Sequence, residues 1–157
     1  IDVIEADVRD PEALRRTFHD HPISGVVHCA GLKAVGEGEE RPLAYWDVNV
    51  GGTIALAEVM GEAGVARFVF SSSATVYGQP DALPVAEDAP LKPQSVYGRT
   101  KRTAEDFLRD LTRANANMNW NYAWKPWKIF REFRKTLSIT LWCKFTVIKR
   151  QYPETCR

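Results

Sequence analysis

Tyr97 and Lys101 stand four residues apart in the run Tyr97-Gly98-Arg99-Thr100-Lys101. On a helix that spacing puts both side chains on one face, one turn apart. A phenol, with an ordinary pKa of about 10, is a poor base at neutral pH. An ammonium beside it favours the phenolate, so the pair reads as a general acid/base. Taken alone, the pair has a plainer reading: a Tyr packed on the core and a solvated Lys. The serines Ser71-Ser72-Ser73 tip the balance, because they follow a strand-like run, Arg67 to Phe70. Ser73 can hydrogen-bond the substrate hydroxyl that Tyr97 deprotonates, and so orient it. Ser71 and Ser72 read equally well as a polar turn.

These groups need elements to hold them. Residues 1–6 (IDVIEA) alternate and stop at Asp7, as a strand would. Asp10 followed by Pro11 reads as an N-cap and first helical position, with Leu14 and Phe18 one turn apart. Residues 25–30 (GVVHCA) predict a buried strand ending at Gly31. Residues 42–63 predict a long helix closed by Gly64, and a Pro-rich loop runs from Gln79 to Pro93. Ser95 can cap a helix in which Tyr97, Lys101, Ala104, Leu108 and Leu111 share one face. Strands alternating with helices imply an α/β fold with a doubly wound parallel sheet. Ligands in such sheets bind beyond the carboxyl ends of the strands. Asp7, Ala30-Gly31 and Ser71 to Ser73 all fall at that edge.

Composition sets the outer bounds. The 157 residues, 45% apolar and 26% charged, suffice for one ordinary globular domain. No run of eighteen apolar residues exists, so no membrane span is expected. The N-terminus has neither the basic nor the apolar region of a signal peptide and lacks Met, so the chain is expected to begin mid-protein. Cys29, Cys143 and Cys156 are too scattered for a zinc site or a disulfide framework, and a reducing cytoplasm fits them. By itself, Cys29 reads as a small buried residue at a strand end.

Charge divides the chain. Residues 1–114 hold 12 basic and 18 acidic residues, a net −6, whereas residues 115–157 hold 9 and 2, a net +7. All ten glycines precede the break and four of the five tryptophans follow it. Two parts are therefore expected, 1–114 and 115–157, meeting at Ala114–Asn115. The acidic first part argues against nucleic-acid binding there. In the second part, Ser138 to Lys149 alternates as a strand would, while Trp124, Trp127, Phe130 and Phe133 lie among Lys and Arg. An unrelated tail is the preferred reading. A basic RNA- or membrane-binding arm on a non-catalytic module is the alternative.

Four stretches carry a family resemblance: Cys29 to Glu37 (CAGLKAVGE), Tyr45 to Thr53 (YWDVNVGGT), Phe70 to Gly78 (FSSSATVYG) and Pro93 to Lys101 (PQSVYGRTK). Residues 1 to about 114 resemble UDP-glucose 4-epimerases, of the extended short-chain dehydrogenase/reductase superfamily. The last two stretches occur widely in that superfamily; AGLKAVGE narrows the resemblance to the 4-epimerases. It implies a Rossmann-like NAD-binding fold and conversion of UDP-hexoses at C4 through a 4-keto sugar. It further implies that Asp7 and Val8 contact the adenine and that Cys29, Ala30, Gly31, Leu32 and Lys33 line the cofactor. Lys33 would lie near the phosphates or the nicotinamide ribose, within reach of substrate. Asn49 would hold the cofactor side of the site from its helix; many 4-epimerases carry a further Asn at the preceding position, which is Val48 here. Ser71 and Ser72 would flank the cofactor. Ser73 would be the catalytic serine, Tyr97 the acid/base, and Lys101 the residue holding the nicotinamide ribose. The resemblance implies no metal, and a homodimer through helices that include 42–63 and the catalytic one. Another nucleotide-sugar epimerase or dehydratase is the nearest alternative, and Ser73-Ala74-Thr75 argues against a dehydratase.

The sequence departs from the family in one respect that bears on the fold. It contains no GxxGxxG or GxGxxG, the loop that grips the pyrophosphate after the first strand. The expected fold is therefore a partial Rossmann-like sheet lacking its first two strands. In the order 3-2-1-4-5-6 those strands lie between the third and the fourth. Residues 1–6 are then expected to have no neighbour, and the chain to neither fold natively nor epimerise alone.

Overall fold

The computed structural model describes residues 2–80, 83–114, 119–123, 140–142 and 146–149. Strand β1, Asp2–Ile4, leads to helix α1, Pro11–Asp20. The Asp10 carboxylate caps α1 by accepting from the amides of Glu12 and Ala13, and Pro11 opens its first turn. Strand β2 is Val26–His28. The predicted 42–63 helix is realised as α3, Pro42–Trp46, a π-helical turn, Asp47–Gly51, and α4, Gly52–Glu62. Gly64, at φ 67, ends it, with Val65 N donating to Met60 O and Gly64 N to Gly61 O. A short helix without an apolar stripe, α2 (Val35–Glu40), precedes α3 and is absent from the sequence reading. Strand β3, Arg67–Ser71, runs into a 3-10 turn, Ala74–Tyr77, and α5 spans Val96–Ala114.

Three further strands complete the sheet: β4 (Asn119–Ala123), β5 (Thr140–Trp142) and β6 (Thr146–Lys149). The order is β1-β6-β5-β2-β3-β4. Strands β2, β3 and β4 are parallel, β5 is parallel to β2, and β6 runs antiparallel to both β5 and β1. All described strands except β6 therefore point the same way, and Asp7, Gly31 and Ser71 lie at one edge. Val26, Phe68 and Phe70 meet Leu14 of α1, Leu56 and Met60 of α4, and Leu108 of α5 in one buried cluster.

One expectation is corrected here. The gap foreseen between the third and fourth family strands is filled: β6 pairs with β1 through Val3↔Ile148, and β5 pairs with β2 through His28↔Leu141. Within 138–149 the described residues form two antiparallel strands, Thr140–Trp142 and Thr146–Lys149, rather than one. The parallel sheet also runs past Ala114–Asn115, since Phe68↔Trp120 and Phe70↔Tyr122 bring β4 beside β3. Trp124, Trp127, Phe130 and Phe133 lie outside the described residues.

An orphaned buried backbone group costs about 1–3 kcal/mol against a total stability of about 5–15 kcal/mol. Deleting residues 124–157 strips β1 of its partner and β2 of one. The shortened chain is expected to lose its cooperative thermal transition by circular dichroism and to be cut by protease under conditions in which the full chain survives.

Candidate active site

The site is assembled where the ends of β2 and β3 meet α5. Lys101 is buried, and its Nζ donates to the carbonyl of Ser71 at 3.0 Å. The ammonium lies over the Phe70 ring, 4.7 Å from its centroid, and 6.0 Å from the centroid of Tyr97. Tyr97 itself is half-buried. The phenol and the ammonium thus sit side by side as their spacing implies, and a positive charge beside a phenol favours loss of its proton. Lys101 draws its rigidity from the aromatic face and the strand-end carbonyl.

Ser73 caps the 3-10 turn. Its Oγ accepts from Thr75 N at 3.3 Å and from Thr75 Oγ1 at 3.0 Å, which leaves its own proton to be donated to a ligand oxygen. Ser71 enters the site through its carbonyl. The Ser72 hydroxyl donates to the carboxylate of Glu105, one turn beyond Lys101 on α5.

Asn49, 1% exposed, ties the Gly31 loop to the helices. It sits in the π-helical turn, a local widening common at functional sites. Its Oδ1 accepts from Leu32 N at 2.7 Å, and its Nδ2 donates to Leu32 O and to Thr100 Oγ1, each at 3.0 Å. Thr100 Oγ1 in turn donates to Tyr97 O at 2.8 Å. Gly31, at φ 153, lies in this clamp. A Cβ there would meet Asn49 Oδ1 at 2.8 Å and stand 3.5 Å from Lys101 Nζ. The bare backbone of the loop therefore faces the Lys101 ammonium with no side chain between them.

The remaining sequence-chosen residues spread outward. Ala30 is buried, Cys29 half-buried and Lys33 exposed. Val8 is buried against Gly52, where a Cβ would come within 2.5 Å of Val8 Cγ1. Asp7 is held by Arg9, whose other arm reaches Asp47 Oδ2 at 2.6 Å. The Arg9 side chain holds the Asp7 carboxyl below its ordinary range, so it stays ionised.

Four side chains that frame the candidate site are not among those the sequence reading singles out. Glu105 continues the Tyr97, Lys101 face by one more turn, a signal that was available. Glu39 Oε1 accepts from Val96 N at 2.7 Å and so caps α5 from α2. Tyr45, fully buried, donates to Ala34 O at 2.6 Å. Burial first, and Glu37 second, push its phenol up, so it stays a fixed donor. His28 bonds Thr53 Oγ1 at 3.0 Å through Nε2, while Thr53 donates to Asn49 O at 2.6 Å. Because the Thr53 proton is committed, His28 Nε2 carries the ring proton. Nothing local in the sequence names the partners Ser72, Val96, Ala34 and Thr53, which lie 11 to 57 residues away.

The arrangement matches known proteins. The profile of the NAD dependent epimerase/dehydratase family matches residues 1–122. The chain belongs to this family. The match passes the composition break and ends within β4. A UDP-glucose 4-epimerase of Bacillus subtilis is 48% identical over 119 residues, covering 76% of this chain and 34% of its own length. One from Neisseria meningitidis serogroup A is 50% identical over 112 residues, 71% of this chain and 33% of its own. Among solved structures, UDP-glucose 4-epimerase from Bifidobacterium longum in complex with NAD+ and UDP superposes with TM-score 0.70 at 42% identity, over 74% of this chain and 35% of that one. The chain thus spans about a third of the length of the curated relatives it matches. No helix among the described residues is long and apolar enough to cross a membrane.

Burial holds the His28 imidazole down to about 3, with Lys101 adding to the effect. An unfolded His binds a proton near 6.5. Between those values the unfolded chain binds more protons, so stability falls as pH drops below 6.5, by roughly 1.4 kcal/mol per unit. Urea melts at pH 6.5 and 5.0 are expected to show this loss, and His28→Leu to flatten it.

Proposed function

We propose that this chain carries the catalytic centre of a UDP-hexose 4-epimerase that interconverts UDP-glucose and UDP-galactose with NAD. The observation that carries the reading is the Lys101 ammonium, buried between Phe70, Tyr97 and the bare edge at Gly31. That edge and that cation fit the nicotinamide-ribose end of NAD, with Ala30, Gly31, Leu32 and Lys101 as its holders and Ser71 and Ser72 shaping the wall behind it. Asp7 and Val8 follow β1 on the same edge of the sheet, where the adenine end would reach, and Lys33 is exposed beside the loop for a phosphate. When bound, NAD supplies the acceptor that takes the C4 hydride of the sugar and gives it back to the opposite face.

The protein's own part is proton transfer and aim. Tyr97 takes the proton of the 4-hydroxyl and later returns it. Lys101 holds positive charge beside the phenol throughout. Ser73 donates its proton to the 4-oxygen and keeps that oxygen facing Tyr97. Tyr45, held protonated, stays out of the exchange and fixes the Ala34 carbonyl. The Ser73-Ala74-Thr75 run favours epimerisation over dehydration. A cytoplasmic location accords with the scattered cysteines, and no metal or nucleic acid enters this reading.

Splicing residues 1–122 into the matching stretch of the Bacillus subtilis enzyme tests this. The splice is expected to convert UDP-galactose, and Tyr97→Phe within it to slow turnover by about 10²–10⁴-fold, the ordinary worth of a positioned acid/base. An undiminished rate in the Tyr97→Phe splice would overturn the assignment.

We further propose a homodimer through the helix pair α3–α4 and α5. Leu43 is 85% exposed, and Trp46 and Ile54 share its face at helical spacing with 37% and 43% exposure. Leu43→Glu with Ile54→Glu is expected to halve the mass measured by sedimentation.

A further inference from the structure

Two side chains with formal charges are buried in α5, Lys101 at 5% exposure and Glu105 at 8%. They stand one helical turn apart and reach consecutive residues of the same strand end. Lys101 donates to the Ser71 carbonyl, and Glu105 accepts from the Ser72 hydroxyl. The proton shuttle uses Lys101 and has no task for Glu105. A carboxylate so placed carries a desolvation cost that its hydrogen bonds must offset, and an exposed site on the same helix would avoid that cost. Among the described residues, the ion pair of this carboxylate is a distant one, Arg102 Nη1 at 3.7 Å, and Arg102 gives its closer contact, 2.8 Å, to Asp106. The Ser72 hydroxyl is thus the hydrogen bond that accounts for the position of Glu105. The next residue along the chain is Ser73.

We propose that Glu105 is a positioning residue: by holding Ser72 it locks the strand end that carries the Ser73 hydroxyl and the Ser71 carbonyl, and so fixes both Ser73 and Lys101 relative to Tyr97. The proposal rests on the acid/base reading of Tyr97 given above. Lys101 depends on the lock because its acceptor is the backbone of the residue before Ser72. When the strand end shifts, the ammonium shifts from its place beside the phenol, and the phenolate loses its partner.

The test uses the full chain labelled with 13C at tyrosine Cζ, with the Tyr97 resonance assigned by its absence in Tyr97→Phe. Two comparisons keep charge constant. Ser72→Ala is set against the parent chain, and Glu105→Leu against Glu105→Gln, since Gln keeps an acceptor oxygen for Ser72 and Leu does not. The Tyr97 titration midpoint is expected to lie higher by half a pH unit or more in Ser72→Ala than in the parent, and higher in Glu105→Leu than in Glu105→Gln. Leu108→Ala, a core truncation on the same helix, is expected to lower the thermal midpoint and leave the Tyr97 midpoint in place. Coincident titrations of Ser72→Ala and the parent would overturn the proposal, and that comparison decides alone should Glu105→Leu not fold. The titration needs neither sugar nor NAD, so a failed turnover experiment bears on the assigned activity and not on this lock.

Discussion

One buried cation organises this structure. An ammonium removed from water carries a large penalty unless it finds acceptors, and Lys101 finds the Ser71 carbonyl and the faces of Phe70 and Tyr97. Each of those partners belongs to β3 or α5, so the interaction closes only when strand and helix dock in one register. The same docking brings the Gly31 loop alongside, because a side chain at Gly31 would collide with Asn49. Reactive geometry and folding geometry are here the same constraint.

Asn49 extends that constraint to the rest of the molecule. A single amide satisfies both backbone groups of Leu32 and reaches Thr100, joining the end of β2 to α5. Behind it, Thr53 and His28 continue the polar chain into the core. Such a network is stable only when every member is satisfied. Among the described residues His28 Nδ1 is buried without a hydrogen-bond partner, which marks that ring as its weak link. Glu39 and Ser95 complete the frame by meeting the amides of Val96 and Gly98 at the start of α5.

The sheet meets a different requirement. Strand edges left open in a protein interior orphan their amides and carbonyls. In this fold the β5–β6 hairpin stands between β1 and β2, so the chain's own C-terminal part satisfies them. The hairpin reverses direction at β6, whereas the family order 3-2-1-4-5-6 keeps those positions parallel. Edge satisfaction is a backbone property and tolerates that reversal; the pyrophosphate-gripping loop is a glycine property, and no GxxGxxG occurs in these residues.

The alternation of strands and helices and the shared face of Tyr97 and Lys101 on α5 were legible in the residue pattern, because these depend on short periods and on turn residues. Asp10 before Pro11, Gly64 after the long helix and the 97–101 spacing are local signals, and local geometry honours them. Tertiary structure alone decided which partner each polar group takes. Ser72 turned to Glu105, Ser71 entered through its carbonyl rather than its hydroxyl, and Asp7 was taken up by Arg9. The pairing of β6 with β1 and of β5 with β2 was likewise invisible, since alternation announces a strand without naming its neighbours. Hydrogen-bond partners distant in sequence are selected by packing, and packing exists only once the chain is folded.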